Sequence, residues 1–137
     1  MKKQLNLLGL GLLLVTALAY AETVNMKVNI PFNFVVGGVT LPSGEYTVQG
    51  LGNSGNAISI RKSDQTAKGL TLAIRCESSK TPEQSKLVFH RYGDRYFLAK
   101  IWMAGDNAGH ELPKSRREAE VAMDYPAQEV VLVASLR

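Results

Sequence analysis

Few side chains in this 137-residue chain could take part in catalysis or metal binding. There are two histidines, His90 and His110, and neither has a spacing typical of zinc ligands. A histidine-based catalytic site would also need a nearby carboxylate. The candidates for that role are Asp94, Asp106 and Glu111. The sequence predicts no catalytic residues, no metal site and no cofactor, and a small secreted hydrolase remains as a second alternative.

Two short motifs match functional patterns by letter but not by context. Residues 50–55 read G-x-G-x-x-G, which binds a dinucleotide only when a helix follows, and here an isoleucine-rich strand is predicted instead. Residues 59–62 read S-x-x-K, in which the lysine must share one face with the serine. Residues three apart on a strand point to opposite sides. We interpret both motifs as ordinary turn and strand residues.

The single cysteine, Cys76, excludes an internal disulfide. It continues the apolar side of a predicted strand, which favours a buried and unreactive thiol. An intermolecular disulfide is the alternative, because an unpaired cysteine in an exported chain can bond to another molecule.

Aromatic and basic side chains near the middle of the chain are the candidates for ligand binding. They are Tyr92, Arg95, Tyr96 and Trp102. The rings could stack on a sugar, although packing in a core explains them equally well. A glycan or an envelope protein is therefore the candidate partner, and its identity is not predicted.

These candidates belong to one predicted β-hairpin, with strands at 87–92 and 95–102. Gly93 and Asp94 between two β-prone runs indicate a two-residue turn with a positive φ at the glycine. The resulting register pairs Tyr92–Arg95, His90–Phe97, Phe89–Leu98, Val88–Ala99 and Leu87–Lys100. Both faces are apolar away from the turn, so we expect a central hairpin that is covered on both sides.

The remaining pattern is that of a single β domain. Apolar alternation predicts strands at 24–30, 45–49, 57–61 and 70–76, and the apolar run at 129–135 predicts a central strand covered on both faces. Ser115 followed by Glu118 forms a capping box, which predicts one helix at about 115–123. We predict an all-β fold, an antiparallel β-sandwich or small barrel of about seven or eight strands with one short helix near the C-terminus.

Residues 1–21 have the pattern of a secretory signal peptide: Lys2 and Lys3, an apolar run at 7–18, and Ala19-Tyr20-Ala21 at the cleavage position. The domain would then span 22–137, exported to the periplasm or the medium. The apolar run is shorter than the roughly 20 residues that cross a bilayer, so we expect no transmembrane segment in the mature chain. Loss of the two lysines lowers the net charge from +4 to +2, which gives no case for nucleic-acid binding.

Three blocks of the sequence resemble a family of short exported bacterial β-rich proteins of unknown function. They are residues 30–34 with 41–46 (IPFNF and LPSGEY), 89–97 (FHRYGDRYF) and 111–118 (ELPKSRRE). The resemblance implies no activity, ligand or partner. We therefore predict an exported, non-enzymatic β domain that acts in binding or as an envelope or surface component. The first alternative is a small-ligand or carbohydrate-binding protein that uses the aromatics or an interior cavity.

Overall fold

The computed structural model describes residues 24–52 and 56–134, so the predicted signal peptide lies outside the described residues. These residues form one helix, α1 (Arg116–Ala122), and a series of short strands. The strands are β1 (Asn25–Ile30), β2 (Phe34–Val36), β3 (Val39–Leu41), β4 (Gly44–Leu51), β5 (Ala57–Lys62), β6 (Lys68–Leu72), β7 (Ile74–Glu77), β8 (Lys86–Tyr92), β9 (Arg95–Trp102), β10 (Ala108–Glu111) and β11 (Gln128–Val133).

The strands form two sheets. The first has the order β1-β4-β5-β6, and the second has the order β11-β8-β9-β10-β7, with β2 paired to both β9 and β3. The sheets are not closed into a barrel. The all-β prediction is therefore confirmed, and of its two forms the sandwich is the correct one.

The core lies between the sheets and follows the predicted alternation. Met26, Val28 and Ile30 of β1 are all at most 3% exposed. The inward residues of β4 and β5 join them: Tyr46, Val48, Ile58 and Ile60. Each such side chain stabilises the fold by roughly 1.5–3 kcal/mol when fully buried.

The central hairpin is confirmed together with its turn. Gly93 has a φ of +65°, and Tyr92 pairs with Arg95 as predicted. The pairings His90–Phe97 and Phe89–Leu98 are also correct. The second face of the hairpin is covered by α1, whose Val121 and Ala122 pack against a small cluster of Val35, Tyr92 and Phe97.

Beyond Phe89 the predicted register is wrong, because β9 contains a β-bulge. Val88 pairs with Lys100 and Leu87 pairs with Ile101, so Ala99 is the extra residue. The bulge exchanges the faces of Lys100 and Ile101. Ile101 therefore enters the core, with 0% exposure. An uninterrupted register would have placed the Lys100 side chain there, at a large desolvation cost.

Two other strand predictions need correction. The predicted strand at 70–76 is divided between β6 and β7, which belong to different sheets and are joined at Ala73. The predicted central strand at 129–135 is β11, an edge strand of the second sheet, with Val131 47% and Val133 55% exposed. Residues 135–137 lie outside the described part of the chain. A continuous apolar run is therefore not by itself a sign of burial on two faces.

Candidate functional site

The four residues predicted to bind a ligand do not form one site. Tyr92 and Arg95 close the hairpin, and both line a polar cleft beside the end of α1. Trp102 ends the same strand, about 23 Å away at the usual rise per residue. It is 8% exposed and packs over Gly109. Tyr96 stacks on Phe32, with 3.7 Å between ring centroids. The structure offers no shared aromatic surface from these residues, and their binding role stays a prediction.

Among the described residues, neither histidine forms a hydrogen bond or ion pair with the carboxylates proposed for a catalytic site, Asp94, Asp106 and Glu111. Nδ1 of His90 lies 3.2 Å from Oε2 of Glu118, a residue that sequence reasoning did not nominate. Nδ1 of His110 is fully buried and has no hydrogen-bond partner among the described residues. Burial lowers the pKa of His110, so its neutral form is favoured. His110 is on β10.

Glu118 is the buried polar centre of this side of the molecule. It is 5% exposed, and it is the buried residue of α1. The Tyr92 hydroxyl donates to Oε2 at 2.7 Å, the same oxygen that faces His90. Burial, followed by the hydrogen bond to Glu118, raises the pKa of Tyr92 to about 12. This cluster of Glu118, Tyr92 and His90 attaches the helix to the hairpin.

The capping box explains how Glu118 reaches that position. Oγ of Ser115 accepts a hydrogen bond from the backbone N–H of Glu118 at 3.1 Å, as the sequence predicts for a helix start. The glutamate side chain in a capping box usually returns to the N-cap backbone. Here it turns to the hairpin instead, so a residue predicted as a cap also forms the buried cluster.

A large apolar cleft opens between the two sheets beside β6. Its volume is about 490 Å³, and most of its lining is apolar. The lining residues come from distant parts of the chain: Val35, Val36, Gly37, Gly38, Leu51, Ala57, Ile58, Leu70, Thr71, Leu72, Phe97, Leu98, Leu112, Pro113, Ser115 and Glu118. This size and composition are typical of small-molecule sites. We call it the β6 cleft.

The β6 cleft has exposed leucines at its mouth. Leu51 is 39%, Leu70 57% and Leu72 69% exposed. The pairing of β6 with β5 sets Leu70 opposite Ser59 and Leu72 opposite Ala57, so both leucines lie on the face away from the inward Ile58 and Ile60. Clustered apolar side chains at an opening mark binding surfaces more often than single exposed ones do.

Glu118 also lines a second, smaller cleft of about 240 Å³. The two clefts share Leu112, Pro113 and Glu118. The smaller one adds polar and charged groups, namely His90, Glu111 and Lys114. An apolar cleft and a cleft of mixed polarity therefore meet at one buried carboxylate.

Cys76 is a half-buried free thiol on β7. Burial, and then the nearby Glu111, raises the pKa of this thiol, which lowers its reactivity at neutral pH. Within residues 24–52 and 56–134, no group of three or more His, Cys, Asp or Glu side chains is arranged to hold a metal ion.

Sequence reasoning missed both Glu118 and the β6 cleft. A glutamate at the third position of a helix has an ordinary capping explanation. One further signal was present in the helix itself. Glu118 lies three and four residues before Val121 and Ala122, so it shares the helix face that packs on the hairpin. The cleft gives no local signal, since its lining residues are separated by up to 83 positions of sequence, from Val35 to Glu118.

Comparison of the chain with protein-family models, curated proteins and solved structures finds no match. In the described part of the chain, no helix combines the length and apolar character needed to cross a membrane.

Proposed function

We propose that the protein is an exported, non-enzymatic binding domain that holds a small apolar molecule in the β6 cleft. The observation that carries the proposal is the cleft itself, which combines a volume of about 490 Å³ with a largely apolar lining. Three partly exposed leucines, Leu51, Leu70 and Leu72, extend this lining to the surface. Export is supported by the N-terminal sequence pattern alone.

The hydrolase alternative has one supporting contact, the pair of His90 and Glu118. A carboxylate can orient a histidine in this way in nucleophilic enzymes. Such a site also needs a nucleophile within hydrogen-bond reach of the ring. No serine, threonine or cysteine hydrogen-bonds His90 in the part of the chain that the structure describes. The pair is better explained as an anchor for α1.

The proposal predicts that the purified protein binds a naphthylamine dye whose fluorescence rises in apolar surroundings. Leu72→Glu places a charge at the mouth of the cleft and should weaken dye binding about tenfold, because one apolar contact surface is lost. Leu72 is 69% exposed, so the fold should tolerate the change. Fluorescence titration gives the dissociation constants.

Val133→Glu is the matched control. Val133 is also an exposed apolar residue of an edge strand, at 55%, but it lies on β11 and not in the cleft. The dye affinity of Val133→Glu should equal that of the unchanged protein. Equal loss of affinity in both variants, or no loss in Leu72→Glu, would contradict binding in the β6 cleft.

A further inference from the structure

We infer that the molecule bound in the β6 cleft has an apolar chain ending in a hydroxyl group, which donates a hydrogen bond to Oε1 of Glu118. The inference rests on the proposed function, because it specifies the polar end of a molecule whose chain fills the cleft. It is carried by the hydrogen bonding and burial of Glu118.

One of the two carboxylate oxygens of Glu118 makes no hydrogen bond to the described residues. Both of its side-chain hydrogen bonds, from Tyr92 and with His90, are made by Oε2. Oε1 has no hydrogen-bond partner among residues 24–52 and 56–134. A carboxylate that is 5% exposed has lost most of its hydration, so an oxygen without a donor is costly. A ligand that brings a donor would remove that cost.

The unpaired oxygen is not fully buried, and its residue lines both clefts. Among the described residues, one side-chain nitrogen or oxygen is both fully buried and without a hydrogen-bond partner, and it is Nδ1 of His110. Oε1 of Glu118 has no partner either, so it must retain some accessible surface. Glu118 is part of the walls of just two of the clefts described above, and they adjoin at this residue. A chain lying in the β6 cleft can therefore end beside Oε1 while its head faces the smaller cleft, which adds His90, Glu111 and Lys114.

The charge of the site selects the type of head group. A carboxylate or phosphate head would lie against the buried Glu118, where screening by water is weak. Lys114 and Glu111 also line the smaller cleft, but both are exposed and have opposite charges, so they give little net preference. An ammonium head would match the charge, but it must lose a strongly bound hydration shell. A neutral hydroxyl supplies the donor at the lowest desolvation cost.

Three molecules with the same ten-carbon chain test the inference by displacement of the naphthylamine dye, with the two neutral molecules kept below their solubility limits and decanoate below its micellar concentration. Decan-1-ol has a donor, 1-methoxydecane has an ether oxygen without a donor, and decanoate has a negative charge. We expect decan-1-ol to bind at least fivefold more tightly than either of the others. Equal affinity of the alcohol and the ether would overturn the hydroxyl inference and leave apolar binding intact. Failure of all three to displace the dye would overturn the proposed function as well.

Glu118→Gln connects the preference to this residue, because an amide nitrogen can replace the free oxygen as a donor. The ratio of decan-1-ol to decanoate affinity should fall at least threefold. Glu120→Gln, on the exposed side of the same helix and outside the β6 cleft, should leave the ratio unchanged. An unchanged ratio in Glu118→Gln would overturn the inference. The ligand series on the unchanged protein decides the question even if that variant does not fold.

Discussion

Glu118 is a charged residue in a place where short helices usually pack an apolar side chain. A buried carboxylate needs hydrogen bonds to offset the loss of hydration. Tyr92 and His90 hydrogen-bond to one of its two oxygens, Oε2, and both lie on the face of the hairpin that α1 covers. The arrangement explains why a seven-residue helix with otherwise modest apolar contacts keeps its position: Met123, near its end, is 84% exposed.

Tyr92→Phe should lower the free energy of unfolding by about 1–3 kcal/mol, because Oε2 of Glu118 loses its shortest hydrogen bond. Denaturant titration at neutral pH measures this change. Tyr125→Phe is the control, since Tyr125 is 52% exposed, and its effect should stay within about 0.5 kcal/mol. Equal effects of the two substitutions would show that the Tyr92 hydroxyl has no special role.

The raised pKa of Tyr92 also predicts how stability depends on alkaline pH. The unfolded chain releases the phenolic proton near a pKa of 10.0, whereas the native state keeps it until about 12. Tyr92 therefore contributes full stability below pH 10, and that contribution is lost as pH rises toward 12. Tyr46, whose pKa burial also raises, adds a loss of the same sign. Denaturant titrations across this range should show a smaller loss in Tyr92→Phe than in the unchanged protein. An identical loss in both would contradict the assignment.

At the level of the strands, the bulge at Ala99 decides which side chains of β9 enter the core. Sequence alternation predicted the hairpin, its turn and its first pairings, because turn chemistry and local periodicity fix them. It could not predict the bulge, since the extra residue becomes favourable only when Ile101 has a core to enter. Similarly, residues 70–76 alternate as a strand should, but only the folded chain shows that they cross between sheets.

Two alanine substitutions test the bulged register. Ile101→Ala should lower the free energy of unfolding by about 2–5 kcal/mol, because Ile101 is 0% exposed and opposes Leu87. Lys100→Ala should change it by no more than about 0.5 kcal/mol. Equilibrium unfolding in guanidinium chloride measures both values. A larger effect at Lys100 than at Ile101 would indicate the uninterrupted register.

On the scale of the whole molecule, the all-β class and the short helix near the C-terminus could be predicted from the sequence, whereas the choice between a sandwich and a small barrel could not. The β6 cleft could not, because it is made where Val35, Leu70, Leu98 and Leu112 meet after both sheets have formed. The exposure of Leu70 and Leu72 is informative in retrospect. The apolar residues of a strand normally face the core, and here they face solvent. Such a disagreement between sequence pattern and structure is expected at functional surfaces.

The central claim is that the β6 cleft binds an apolar molecule. Amide chemical shifts of the isotope-labelled protein, recorded during a titration with decan-1-ol, test it most directly. We predict that the largest changes occur along residues 69–72 and 112–118, and that residues 131–133 on the opposite edge stay unchanged. Changes centred on the hairpin end near Trp102, or spread evenly over the apolar surface, would contradict the account.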